Sequence, residues 1–327
     1  MSTATVLVTG GAGYIGSHAV LALLAAGYPV VVVDDLSTGN REVVPDTVTL
    51  VEGNVGDQEL TATVIREHGV KAVMHFAGSL IVEESMSQPL KYYKNNTCVS
   101  RNLIETCIQE GIEQFIFSST AAVYGNPARI PVDESAALDP INPYGQSKAM
   151  TELILRDACN NGPMRYIALR YFNVAGADPE GRSGQIIKQA THLIKVACEL
   201  VNGKRRQMSI FGTDYATPDG TCIRDYIHVS DLAEVHVRAL EYLRAVGGNQ
   251  VINCGYGKGY SVREVLDTLQ AIIGRKLDIQ LADRRAGDPA ALVSDNSLLC
   301  SLMDWQPKYN DLAQIIGDAL RWEQKLD

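Results

Sequence analysis

The most constraining stretch of this chain is 6–18, VLVTGGAGYIGSH, where a short apolar run breaks into four glycines and resumes at helical spacing. Val6, Leu7 and Val8 read as a strand buried on both faces of a parallel sheet. Gly27, followed by Tyr28 and Pro29, stops the helical segment that comes next. Gly11, Gly13 and Gly16 fit G-x-G-x-x-G, and Gly10, Gly13 and Gly16 fit G-x-x-G-x-x-G. Residues without Cβ permit a tight turn, let a pyrophosphate approach backbone N–H groups, and let the helix lie close to its strand. The helix N-terminus adds positive dipole. A dinucleotide is therefore expected against Gly10, Gly13, Tyr14, Ile15 and Gly16. A second apolar run, 30–33, ends at Asp34. A carboxylate there accepts from both adenosine ribose hydroxyls and repels a 2′-phosphate, which favours NAD over NADP.

The rest of the chain allows such a site. Its 327 residues suffice for a large α/β unit and a smaller lobe. No apolar run approaches the ~18 residues of a membrane span, and the immediate first strand leaves no room for a signal peptide. Seven cysteines without CxxC spacing fit a reducing compartment, so the cytoplasm is expected. A net charge of −9 disfavours nucleic acid and anionic membranes as partners, while a local arginine cluster can still meet an anionic substrate.

Residues 48–52 read as the third strand, and the turn 53–57 after it lies where adenine commonly sits. Asn54 suits an adenine acceptor and ordinary turn chemistry equally; Val55 follows it. The run 72–77 brings Phe76, Ala77 and Gly78 to the dinucleotide. His75 within it is read as a satisfied core residue, and no metal is assigned. A helix is expected from Lys91 to about Glu110, with Asn95 and Asn96 near its start and a buried face that partly meets another subunit. The strand 114–120 ends in Ser118, Ser119 and Thr120, at the sheet edge where α/β folds bind ligands. Beyond Pro143, Tyr144 and Lys148 stand at i and i+4, on one helix face. A nearby ammonium, together with a positive nicotinamide, favours the phenolate and makes a tyrosine usable as a base.

These residues resemble the extended short-chain dehydrogenase/reductase family. The matching stretches are 9–18, 75–78, 115–125, 143–148, 170–173, 211–215, 219–228 and 284–288; the first and fourth belong to the whole superfamily, and the last four are similar to the nucleotide-sugar 4-epimerases. The resemblance implies a Rossmann-type doubly wound parallel sheet, with an NAD-binding domain over 1–175 and a smaller mixed α/β substrate lobe over 176–327. Whether part of 225–255 packs back on the large sheet stays open. It further implies tightly bound NAD, a UDP-sugar substrate, a homodimer through the Lys91 and Tyr144 helices, and 4-epimerisation of a UDP-hexose through a 4-keto sugar. Thr120, Tyr144 and Lys148 would be catalytic, with Tyr171 also at the cofactor. Asn173, Arg224 and Arg285 would hold the diphosphate, Phe211 the uracil, and Asp288 the uridine ribose. From its residues alone, Arg224 suits a bidentate phosphate contact, with a buried ion pair to Asp225 as the alternative.

Some positions depart from the family pattern. Leu80 replaces a lysine near the cofactor, Asn54 an aspartate, and His192 an asparagine that contacts nucleotide. Relatives that eliminate water carry Asp-Glu where this chain has Ala121-Ala122, which argues against a dehydratase. The retained Tyr144 and Lys148 argue against a non-catalytic NAD sensor. Leu292, four residues past Asp288, stands at a gate, where a bulky residue favours UDP-glucose and UDP-galactose over UDP-GlcNAc; UDP-pentoses remain an alternative.

Overall fold

Runs of valine, isoleucine and leucine that are apolar on both faces form the middle of a seven-stranded parallel sheet. The computed structural model describes residues 4–187, 190–285 and 287–326. In chain order the first part comprises β1 (Thr5–Thr9), α1 (Tyr14–Ala25), β2 (Val30–Asp34), β3 (Thr49–Glu52), α2 (Gln58–Glu67), β4 (Val70–His75), α3 (Val82–Ser87) and α4 (Pro89–Tyr92). A π-helical turn (Tyr93–Cys98) leads to α5 (Val99–Gln109), β5 (Gln114–Thr120), α6 (Pro143–Cys159) and β6 (Arg165–Tyr171). Then come β7 (Asn173–Ala175), α7 (Leu193–Val201), β8 (Met208–Phe211), β9 (Ile223–His228), α8 (Val229–Ala245) and β10 (Gln250–Cys254). The chain closes with β11 (Gly259–Ser261), α9 (Val262–Ile273), β12 (Ile279–Ala282), β13 (Ala291–Leu292), α10 (Ser297–Met303) and α11 (Leu312–Lys325).

The sheet runs β10-β6-β5-β4-β1-β2-β3, so its order reverses around β1, which lies between β2 and β4. Crevices open at the carboxyl ends of strands at such a reversal. Register aligns those ends: Thr9 lies opposite Val33 and His75, His75 opposite Phe117, and Thr120 opposite Tyr171. Residues 250–254 return to this sheet as β10, with Ile252 opposite Leu169. α8 packs on α1 and on β5 and β6, burying Leu232, Val235 and Leu240. Each such side chain stabilises the fold by about 1.5–3 kcal/mol relative to exposure.

Beyond the large sheet, β9 pairs with β7, β11 and β13, while β8 and β12 form a separate ribbon. α11 packs on α7 and α9. The expected helix from Lys91 to about Glu110 is present, with its first turns widened into the π turn at 93–98. The cause is a side-chain demand from outside the helix. Asn96 accepts from the Ser79 amide (2.7 Å) and donates to the Ser79 carbonyl (3.0 Å) and to Ser147 Oγ (3.0 Å).

Candidate active site at the carboxyl edge of the sheet

The glycine turn fits its place because side chains would not. A Cβ on Gly10, whose φ is +72°, would lie 2.6 Å from the Ala77 backbone nitrogen, and one on Gly16 would lie 2.2 Å from the Gly10 carbonyl oxygen. Gly13 is the N-cap of α1; no side chain caps it and no acid occupies the first turn. The first N–H groups of that helix are left for a ligand. Gly10, Gly13, Tyr14, Ile15 and Gly16 line a cleft of about 710 Å³ that continues in both directions.

At one end lie Asp34, Asn54 and Val55. Asp34 accepts from the Ala12 and Leu36 amides, each at 2.9 Å, one at each carboxylate oxygen. Burial raises its pKa, and those two bonds pull it back. Each oxygen keeps a free lone pair for a ribose hydroxyl. Asn54 Oδ1 accepts from the Gly56 amide (2.8 Å), the turn chemistry that the sequence leaves open.

At the other end Phe76, Ala77, Gly78, Asn95, Thr120, Tyr144, Lys148 and Tyr171 line the same cleft. Asn142 caps α6 by accepting from the Gly145 amide (2.9 Å), and Pro143 presets its first turn. Tyr144 and Lys148 are thereby carried on one face toward β5. Thr120 hydrogen-bonds Tyr144. Lys148 Nζ donates to the Ser118 carbonyl (2.9 Å) and stands 5.0 Å over the Phe117 ring. Burial raises the Tyr144 phenol while the Thr120 bond opposes it, and burial pushes Lys148 down to about 8. The expectation is that the ammonium acts together with a positive nicotinamide; among the protein's own influences on Tyr144, burial is the largest. The sequence reading of Ser118 and Ser119 is also resolved, since their hydroxyls reach side chains, Tyr171 and Glu152 respectively. His75 is fully buried between Thr9 Oγ1 (2.7 Å) and Ser100 Oγ (2.8 Å).

Across the cleft stand Asn173, His192, Arg224, Asp288 and Leu292, with Leu80 on the rim. Neighbours along a strand face opposite sides, and β9 sends Arg224 and Asp225 apart. Arg224 meets Asp288 at 3.7 Å. Asp225 turns inward and accepts from the Tyr256 and Gly257 amides and from Ser294. The alternative of an Arg224–Asp225 ion pair is therefore not what the fold makes. His192 Nδ1 bonds Gln185 Nε2 at 2.9 Å. Phe211 and Arg285 are together but outside the cleft lining, the guanidinium 3.9 Å over the ring. Among the described residues, no group of three or more His, Cys, Asp or Glu is placed to hold a metal ion.

The model of the NAD dependent epimerase/dehydratase family matches residues 6–255. The chain belongs to this family. It is 56% identical over 322 residues to a UDP-glucose 4-epimerase of Azospirillum brasilense, covering 98% of this chain and 92% of that relative. It superposes with a TM-score of 0.94 on the UDP-glucose 4-epimerase of Brucella ovis solved with NAD, at 42% identity and with 98% and 99% of the two chains covered. The corresponding enzyme of Bifidobacterium longum, solved with NAD+ and UDP, gives a TM-score of 0.94 at 35% identity, with 98% of each chain covered.

The family's cofactor is NAD, and the cleft fits it: a turn with no space for Cβ, an uncapped helix N-terminus, a buried carboxylate at the ribose end, and Tyr144 with Lys148 at the nicotinamide end. Several residues of this family member escape sequence reasoning. Ser79 is held by Asn96 and accepts from Asn95 Nδ2 (3.1 Å). Gly184, Gln185 and Ile186 also wall the cleft. Ser183 bonds Ser17 of α1 (2.6 Å), and Tyr14 Oη donates to the Gly176 carbonyl (2.7 Å). No local pattern announces such contacts, because each joins residues far apart in sequence.

Proposed function

We propose that this chain interconverts UDP-glucose and UDP-galactose by 4-epimerisation, with one NAD kept and regenerated at each turnover. The observation that carries this reading is the opening of Thr120, Tyr144 and Lys148 onto the same cleft as Arg224 and Asp288. A proton-handling pair at one end and an arginine at the other suit a sugar tethered through an anionic diphosphate. The relatives solved with NAD and with UDP support it.

When bound, NAD supplies a hydride acceptor for the sugar C4 and a donor to the opposite face of the resulting 4-keto sugar. Tyr144, as phenolate, takes the 4-hydroxyl proton through its Oη and later returns it. Thr120 holds the tyrosine oxygen and shortens that proton path. Lys148, anchored on the Ser118 carbonyl, keeps an ammonium beside the phenol; at about 8 its pKa leaves it protonated at neutral pH. Arg224 and Asn173 hold the diphosphate, Asp288 the uridine ribose, and His192 stands beside the nucleotide. Phe211, for the uracil, and Arg285, as a second arginine for the diphosphate, are stacked on each other outside the lining and reach the substrate only when that stack opens. Around the hexose, Ala121, Ala122, Phe172 and Leu292 present apolar wall, so a keto sugar can turn while its nucleotide stays fixed. Ala121 and Ala122 offer no carboxyl to protonate a leaving hydroxyl, which disfavours dehydration.

Two domains, 1–175 for NAD and 176–327 for the nucleotide sugar, are part of this reading, with β10 and α8 returned to the large sheet. So is a homodimer through the Lys91 and Tyr144 helices. Leu90 is 79% exposed, and Met86, Ile108 and Leu153 are also exposed on that side of the chain. A cytoplasmic setting, with which seven free cysteines accord, and a place in galactose metabolism, which follows from the proposed substrates, belong to the same reading.

The test is to incubate purified protein, without added NAD, with UDP-galactose and to follow the anomeric NMR signals. UDP-glucose is expected to accumulate, and Tyr144→Phe to slow the reaction by ~10³-fold or more while keeping NAD bound. No 4-epimer from any UDP-hexose, even after NAD is supplied, would exclude this activity.

A further inference from the structure

Three consecutive hydroxyls at the end of β5 reach three different anchors. Ser118 bonds Tyr171 through Oγ and holds Lys148 through its carbonyl. Thr120 bonds Tyr144. Between them Ser119, fully buried, donates to Glu152. Glu152 lies one helical turn past Lys148 on α6, as Lys148 lies one turn past Tyr144. Arg170 of β6 grips its carboxylate from Nε (3.0 and 3.2 Å) and Nη2 (2.5 Å). Arg170 Nη1 donates to Tyr124 Oη (2.9 Å), which donates to Asn253 Oδ1 (2.7 Å). Glu152 and Arg170 are each 5% exposed and neither lines the cleft.

A buried ion pair is a weak source of stability, because desolvation offsets most of its attraction and apolar residues of similar volume serve as well. This one sits directly behind the reacting pair and is bolted to the strand that carries Thr120. We propose that Ser119, Glu152 and Arg170 are positioning residues that fix α6 against β5 and set the electrostatic potential at Tyr144 and Lys148. The proposal rests on the roles given above to Tyr144 and Lys148.

Other titratable groups near the pair are His75 of β4, Tyr171 of β6, His236 of α8 and Tyr92 of α4. Burial keeps both histidines neutral, at about 3 and about 4, and holds both phenols protonated. Glu152 and Arg170 are thus the fixed charges behind the pair. Removing the negative one favours the phenolate and disfavours the ammonium, so both pKa values fall and the whole bell of kcat against pH slides to lower pH. Removing the positive one slides it upward. Removing both restores it.

The test measures kcat and KM for UDP-galactose from pH 5 to 10, with Tm and bound NAD, in wild type, Glu152→Gln, Arg170→Gln and the double variant. The singles are expected to shift the profile by about half a unit to one unit in opposite directions, and the double to return to the wild-type position. Ser119→Ala changes no charge. It is expected to lower kcat by ~3–10-fold with KM little altered and the profile unmoved. A folded, NAD-loaded single variant whose profile stays at the wild-type pH overturns the electrostatic role, and wild-type kcat in Ser119→Ala overturns the positioning role. Should one single variant not fold, the shift of the other single variant decides the electrostatic role and Ser119→Ala the positioning role. A wild type without 4-epimerase activity would instead count against the proposed function.

Discussion

In the proposed function, substrate choice turns on Leu292. It ends β13, is 8% exposed, and clusters with Ala121, Val123, Ala149 and Phe172. Leu292→Ser exchanges a branched side chain for a small one and opens room for an N-acetyl group. Turnover of UDP-GlcNAc relative to UDP-galactose is expected to rise by ~10-fold or more in a coupled assay of both substrates; an unchanged ratio would put the wall elsewhere. At this scale the sequence is legible where roles depend on helical spacing. Tyr144 and Lys148 need only i and i+4 to share a face. Arg224 and Asp225 are different, because which one faces the cleft depends on how β9 pairs with β7, β11 and β13, and that register is a property of the assembled sheet. Glu152 carries no motif, Arg170 opens the 170–173 stretch without any sign of its partner, and only the meeting of α6 with β6 pairs them.

The strand, turn and helix at the N-terminus form an element whose tolerance is set by backbone packing. Gly16→Ala places a methyl against the Gly10 carbonyl, 2.2 Å away, where no flexible side chain can give way. The helix must move off its strand, so NAD is expected to be lost on purification and stability to fall by about 1–3 kcal/mol. Absorbance of the cofactor and urea unfolding measure the two effects; a variant with full NAD and unchanged midpoint would mean that the turn relaxes freely. Elements of this kind were readable because apolar runs, glycine and helical periodicity are local signals. The π turn at 93–98 was not, since its cause lies in Ser79 and Ser147, which the chain brings to Asn96 from elsewhere.

Across the whole molecule, burial has trapped four histidines in the neutral form. It pushes His18, His228 and His236 down to about 4 and His75 to about 3, from an ordinary value of 6.5. The unfolded chain binds protons at these sites first, so stability is lost as pH falls from about 6.5 toward 4. The carboxyls of Asp34, Glu134 and Asp225, raised by burial, act in the opposite direction and offset part of the loss. A net loss of ~2 kcal/mol between pH 7 and pH 5 is expected, lowering Tm by roughly 3 °C or more. A Tm independent of pH over that range would mean that these histidines charge without leaving the fold. The large-scale arrangement was only partly legible. An α/β alternation announces the parallel sheet, whereas the return of residues 250–254 to its edge is a long-range choice that no local pattern records. A still longer separation, 166 residues, lies between Ser17 and Ser183, which bond each other, and Gly184, whose Cβ would sit 2.4 Å from the Trp322 ring, is packed closely beside that contact. Such a contact predicts that NAD loads as the chain assembles, so the specific activity of a preparation is expected to follow the conditions under which the protein was made more closely than the NAD in the assay; a several-fold rise on incubating folded protein with NAD would overturn this.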